Sequence, residues 1–202
     1  MANVLLGVTG SVAAIKTPDL VSQLIRAGHV VKVVVTEPAL YFFRPSELRH
    51  VTLIREADEW PPGGYHRGDP VLHIALRKWA DVFAIAPLDA NTLAKLANGL
   101  ADNCLTCVAR AWDLKRPLIL APAMNTLMWQ HPITARHLRR LARDRGKSPP
   151  RTKNAEKISD WINGRKCGLK IVLPVVKELA CGDVGAGGMA EVDIICAAIP
   201  KQ

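Results

Sequence analysis

Residues 4–14 read Val4-Leu5-Leu6-Gly7-Val8-Thr9-Gly10-Ser11-Val12-Ala13-Ala14, and Val30-Val31-Lys32-Val33-Val34-Val35 follows soon after. The first run is apolar and ends at a Thr-Gly-Ser turn. Beyond the turn, Val12, Ile15, Leu20, Leu24 and Ile25 recur at helical spacing, and Gly28 supplies the stop that helix C-termini favour. The second run is β-branched. Strand, helix and strand within roughly thirty residues make a βαβ unit with parallel strands.

The alternation continues outward. Residues 82–86 predict a buried strand, 90–97 and 103–112 helices, 117–121 a strand, 132–143 a basic helix and 169–173 a short strand. Apolar strands alternating with helices specify an α/β fold: a doubly wound, Rossmann-like, mostly parallel sheet in a single domain over residues 1–202. Two segments break the rhythm. Residues 59–69 are rich in Pro and Gly and read as a loop. Residues 145–168 read as a basic surface insertion, in which Ile158, Trp161 and Ile162 are spaced for a short amphipathic helix.

Of the 202 residues, 49% are hydrophobic, which supports a real core and excludes disorder throughout. No apolar run reaches membrane-spanning length, and no basic segment precedes the first apolar run, so a cytoplasmic protein without a membrane partner is expected. The five cysteines, Cys104, Cys107, Cys167, Cys181 and Cys196, are odd in number and suit reduced thiols. The Cys104-x-x-Cys107 pair lacks a second pair or a spaced His, so no metal site is expected. The formal charge of +9 is local: residues 136–170 hold twelve Lys and Arg against three Asp and Glu. No aromatic ladder accompanies that block, and no nucleic-acid partner is expected.

Ligands of open α/β sheets sit beyond the carboxyl ends of the strands, and the chemistry-bearing stretches fall there. Gly10-Ser11-Val12 joins a strand to a helix N-terminus, where N–H groups and the dipole attract an anion. The pattern is neither the dinucleotide GxGxxG nor a Walker loop, so a mononucleotide phosphate suits it better; an ordinary capped turn accounts for it equally. Asp89-Ala90-Asn91-Thr92 follows the third strand and offers hydrogen bonds to a heterocycle, or caps a helix. Ala121-Pro122-Ala123-Met124-Asn125 follows the fourth. There a carboxamide can hold a carboxylate and Met128 and Trp129 can wall a pocket, or the three are core and turn residues. His73 stands in Asp69-Pro70-Val71-Leu72-His73, and Cys181 in a Gly-rich stretch whose thiol could donate a proton.

Together these motifs resemble the homo-oligomeric flavin-containing cysteine decarboxylases, most closely the eukaryotic phosphopantothenoylcysteine decarboxylases, over residues 3–144 and 169–195. The carriers are Gly10-Ser11-Val12-Ala13-Ala14, His73 through Trp79-Ala80-Asp81, Ala86-Pro87-Leu88-Asp89-Ala90-Asn91-Thr92, Pro122-Ala123-Met124-Asn125 with Met128-Trp129, and Ala180-Cys181-Gly182-Asp183 through Met189-Ala190-Glu191. The resemblance implies FMN, bound by Gly10, Ser11, Val12, Thr36, Phe42, Asp89, Ala90, Asn91, Thr92 and Ala123. It implies His73 and Cys181 as catalytic residues, and Asn125, Met128, Leu179 and Ala180 as substrate contacts. The implied reaction is decarboxylation of 4′-phosphopantothenoylcysteine to 4′-phosphopantetheine in coenzyme A synthesis, in a homotrimer with sites between subunits. Relatives of the same fold also act as inhibitory subunits of a Ser/Thr phosphatase; those carry long acidic tails, which this sequence lacks. Lys78 stands where relatives commonly have Arg, Glu178 where they are often basic, and Gly188 where Ala is usual.

Overall fold

After Asn3, every residue of the first strand, β1 (Asn3–Val8), is buried, as a strand covered on both faces must be. The computed structural model describes residues 1–60, 62–64, 66–178 and 184–200. A 3-10 turn over Val12–Lys16 follows β1, then helix α1 (Thr17–Arg26). The break falls beside Pro18, which has no N–H to continue a helix from the preceding turn. The single apolar face expected from Val12 to Ile25 is therefore split. Ala14, Leu20, Val21 and Leu24 are buried, whereas Val12, Ile15 and Ile25 are exposed. Strand β2 (Val30–Val35) then runs parallel to β1, with Asn3 opposite Val30.

Two 3-10 turns, Glu37–Tyr41 and Pro45–Leu48, lead to β3 (Thr52–Ile54) and α2 (Glu56–Glu59). Next come α3 (Leu72–Trp79), β4 (Val82–Leu88), α4 (Ala90–Asn98), α5 (Cys104–Arg110) and β5 (Leu118–Pro122). The chain continues through α6 (Thr126–Gln130), α7 (Pro132–Asp144), α8 (Ala155–Asn163) and β6 (Leu169–Ile171). It closes with β7 (Val175–Glu178), β8 (Val184–Gly188) and α9 (Val192–Ala198). Among the described residues, six strands form a parallel sheet in the order β3-β2-β1-β4-β5-β6, and β7 pairs antiparallel with β8. This is the doubly wound fold. The order reverses between β1 and β4, which opens a crevice at their carboxyl ends.

Alternate β1 side chains feed opposite cores. Val4, Leu6 and Val8 pack with Leu20 and Leu24 of α1 and Ile195 of α9. Leu5 packs on the other face with Phe83, Ile85, Leu93, Leu105 and Leu138. Gly7 lets α5 approach closely: a Cβ there would lie 3.0 Å from Leu105 Cδ1.

One face of the helix within residues 145–168 is core. The helix expected around Ile158 and Ile162 forms as α8, and it buries Ala155, Ile158, Ser159 and Ile162. Asn163 fastens it to β6, donating from Nδ2 to Ile171 O (2.7 Å) and accepting at Oδ1 from Ile171 N (2.8 Å). The positive charges of the segment lie on its flanks and outer face, which is why composition alone reads it as solvated. Likewise, residues 59–69 do not begin as a loop: Glu59 ends α2 and is buried.

Candidate active site

Three loops meet at Gly10. Thr9, fully buried at the end of β1, donates its hydroxyl to Pro87 O (2.9 Å) and accepts from Asp89 N (2.8 Å), tying β1 to β4. A Cβ on Gly10 would lie 2.6 Å from Pro38 Cβ and 3.7 Å from Asp89 Oδ2, so only glycine admits this approach. Ser11 caps the following 3-10 turn, accepting from Ala13 N at 3.4 Å. Asp89 caps α4 by accepting from Thr92 N at 2.6 Å, which leaves Ala90 half-buried and Asn91 exposed at the rim. The capping role of the Asp89 stretch is thus real, and it also shapes the crevice wall.

Thr36 ends β2 in the same place. Its backbone N–H donates to Val8 O at 3.0 Å, but its buried Oγ1 has no hydrogen-bond partner among the described residues. A buried hydroxyl left unsatisfied costs about 1–3 kcal/mol, so this atom points to a ligand. The Ser11 and Thr36 hydroxyls, just beyond the carboxyl ends of the paired strands β1 and β2, are donors suited to a phosphate. Phe42 is half-buried against the core and meets Tyr41 edge-on, with centroids 5.2 Å apart. Val12 and Tyr41 stay exposed near the crevice.

Ala123 extends the floor, donating its N–H to Leu88 O at 2.9 Å. Asn125 caps α6 by accepting from Leu127 N at 2.8 Å. Of the two readings open for Trp129, pocket wall or core, the structure gives core, because it packs with α7 and α8 residues, whereas Met128 is half exposed. The β7–β8 hairpin docks on this segment: Met124 N donates to Gly187 O at 2.9 Å. Gly187 has φ +153°, and a Cβ there would strike the Met124 carbonyl. Beyond β8, Glu191 pairs with Lys16 at 2.6 Å and Lys177 at 3.9 Å, and Lys16 holds its carboxyl below the usual range. Cys181, Leu179 and Ala180 lie outside the described residues.

His73 sits on α3, in the first turn. Its Nδ1 lies 2.5 Å from Glu59 Oε1, and the Glu59 side chain is only 1% exposed against 21% for His73. Among the described residues, no hydrogen bond or ion pair joins His73 to the strand-end cluster around Gly10. Glu56 accepts from Cys104 N at 3.0 Å and so caps α5. The Cys104-x-x-Cys107 pair therefore occupies the first turn of α5 rather than its middle. A helix start ordinarily lowers a thiol's pKa. Here burial, then the Glu59 and Glu56 carboxylates, push the Cys104 thiol well above its ordinary value, and the same forces raise Cys107. Nothing in the sequence pattern marks Glu59, which stands in an acidic stretch before a Pro/Gly-rich one.

The Flavoprotein family model matches residues 1–202. A phosphopantothenoylcysteine decarboxylase of Mus musculus is 48% identical over 97% of this chain and 84% of its own length. One of Arabidopsis thaliana is 46% identical over 95% of the chain and 80% of its own length. Among solved structures, a PPC decarboxylase mutant complexed with pantothenoylaminoethenethiol superposes with TM-score 0.79 at 45% identity, covering 96% of this chain and 94% of that one. The FMN binding protein AtHal3 superposes with TM-score 0.77 at 46% identity, covering 97% and 93%. With its parallel sheet, its phosphate-ready crevice and matches of this extent, the chain belongs to the Flavoprotein family.

Proposed function

We propose that this protein binds FMN and decarboxylates 4′-phosphopantothenoylcysteine to 4′-phosphopantetheine, the carboxy-lyase step of coenzyme A synthesis. The unpartnered Thr36 hydroxyl beside Gly10 and Ser11 carries the cofactor reading, because it is a buried donor waiting for an acceptor. The substrate reading rests on relatives named for this reaction at 48% and 46% identity. Gly10, Ser11, Val12 and Thr36 hold the FMN phosphate, and Asp89 to Thr92, Ala123 and Phe42 border the ring. Bound FMN supplies a reversible two-electron acceptor, which a carboxylate beta to a thiol otherwise lacks. His73 takes a proton from the substrate, Asn125 orients its carboxylate, and Met128, Leu179 and Ala180 line its path. Cys181 returns a proton after CO₂ departs.

His73 and the strand-end cluster belong to separate hydrogen-bonded groups of one subunit. A homotrimer whose sites lie between subunits is the assembly that the resemblance to the cysteine decarboxylases implies. Among the described residues the cysteines Cys104, Cys107, Cys167 and Cys196 are free thiols, which supports a reducing, cytoplasmic setting. No helix among the described residues is long and apolar enough to cross a membrane. Purified protein is expected to be yellow and to release CO₂ from 4′-phosphopantothenoylcysteine. A folded, colourless preparation without affinity for FMN removes the proposal.

A further inference from the structure

We propose that Glu59 is the positioning residue of His73: its buried carboxylate holds the imidazole with a proton on Nδ1 and leaves Nε2 as the nitrogen that accepts the substrate's proton. This rests on the decarboxylase reading, in which His73 is the base.

The geometry is specific. Glu59 is the last residue of α2, and the start of that helix is fixed by Asp58 Oδ2, which accepts from Arg55 N at 2.7 Å. Arg55 in turn reaches Glu37 Oε2 at 3.0 Å. The Glu59 side chain is thereby carried inward, between α3 and α5, and is 1% exposed. Only Nδ1 of His73 meets it, at 2.5 Å, while the ring keeps 21% exposure. A carboxylate can only accept hydrogen bonds, so it selects the tautomer with the hydrogen on Nδ1. The Glu59 carboxylate also faces the Cys104 thiol, which it helps to hold protonated. Near Glu59 stand Glu56 from α2 and Cys104 and Cys107 from α5, while Arg77 lies one turn beyond His73 on α3. Arg77 is directed elsewhere, donating to Ala111 O at 3.3 Å.

A purely structural role explains the arrangement poorly. Replacing a buried charge or ion pair by an apolar side chain of similar shape is often neutral or stabilising. A buried carboxylate held against a surface-accessible imidazole repeats the logic by which a buried acid orients a catalytic histidine.

The test uses full-length, FMN-loaded protein with ¹⁵N-labelled histidine. The His73 signals are assigned by their loss in His73→Asn. In the native protein the neutral His73 ring is expected to carry its hydrogen on Nδ1. In Glu59→Met, which keeps the shape and removes the acceptor, the hydrogen moves to Nε2. There kcat falls about 100-fold with melting temperature, flavin absorbance and KM held. Glu59→Asp recovers part of both the tautomer and the rate, and it carries the spectral test by itself should Glu59→Met not fold. A native ring protonated on Nε2 overturns the proposal, as does an Nδ1–H ring that persists without the carboxylate. Normal turnover per folded molecule in Glu59→Met overturns it too. Because the tautomer is read without turnover, a native protein inactive on the substrate sinks the decarboxylase reading and leaves the Glu59 result to be judged separately.

Discussion

Thr36 and Cys104 show how single side chains report on the site. The Thr36 hydroxyl is buried at the end of β2 without a partner. If it meets the FMN phosphate, Thr36→Val removes one hydrogen bond to a charged group and weakens FMN binding about tenfold to a hundredfold. Flavin fluorescence titration measures this; an unchanged Kd means the hydroxyl faces something else. Cys104 is a thiol whose pKa is raised on folding, chiefly by burial and then by Glu59. Its protonated form is therefore favoured in the native state. The stability this contributes is whole below the ordinary thiol pKa of about 8.5 and declines as pH rises above it. Between about pH 9 and 11, Cys104→Ala is expected to reduce the downward slope of unfolding free energy by as much as about 1.4 kcal/mol per pH unit. Cys107 and Cys196, raised in the same sense, contribute to the slope that remains. Urea melts at stepped pH provide the slopes; identical slopes in the two proteins place the Cys104 thiol outside this linkage.

Helix α8 is the element on which composition and structure differ most. Twelve basic residues in 136–170 give the segment a solvated look, yet Ile158 and Ile162 are fully buried against α7 and β6. Ile158→Ala should cost about 2–5 kcal/mol, the usual range for an aliphatic truncation in a core. A loss within about 0.5 kcal/mol, typical of surface sites, would instead mean a detached segment. The crossover between β5 and β6 thus uses α7 and α8 as its helical cover, and their outward faces carry the charge. The β7–β8 hairpin follows a different logic. Gly185 and Gly187 let it lie directly on Met124 to Thr126, and Glu191 anchors its far side to Lys16, in the turn that follows the Gly10 loop. The hairpin is in this way tied to both the turn that follows Gly10 and the segment around Asn125.

At the scale of the whole molecule, Gly10, Asp89 and Asn125 stand at the strand ends, while His73 and Glu59 stand on α3 and α2. A trimer with sites between subunits makes a direct prediction. Mixing and reassembling inactive His73→Asn subunits with inactive Asn125→Ala subunits is expected to restore part of the decarboxylase activity. If each site lies within one chain, the mixture stays as inactive as its components. Light scattering on the FMN-loaded protein should return a mass of three chains.

The parallel sheet, its opening βαβ unit and the strand-end position of Gly10, Asp89 and Asn125 are legible in the sequence. Apolar periodicity and glycine placement are local signals, and βαβ handedness turns them into topology. The short elements, β3 and α2 above all, span too few residues for a period to show. That Thr36 is buried without a partner, that α8 is core and that Glu59 faces His73 depend on contacts across the chain. The last joins residues fourteen positions apart through a Pro- and Gly-rich stretch. Composition and spacing determined what kind of sheet this protein builds and where a ligand must sit. Only the folded packing decided which polar atoms are buried, because burial depends on which distant side chains close over them.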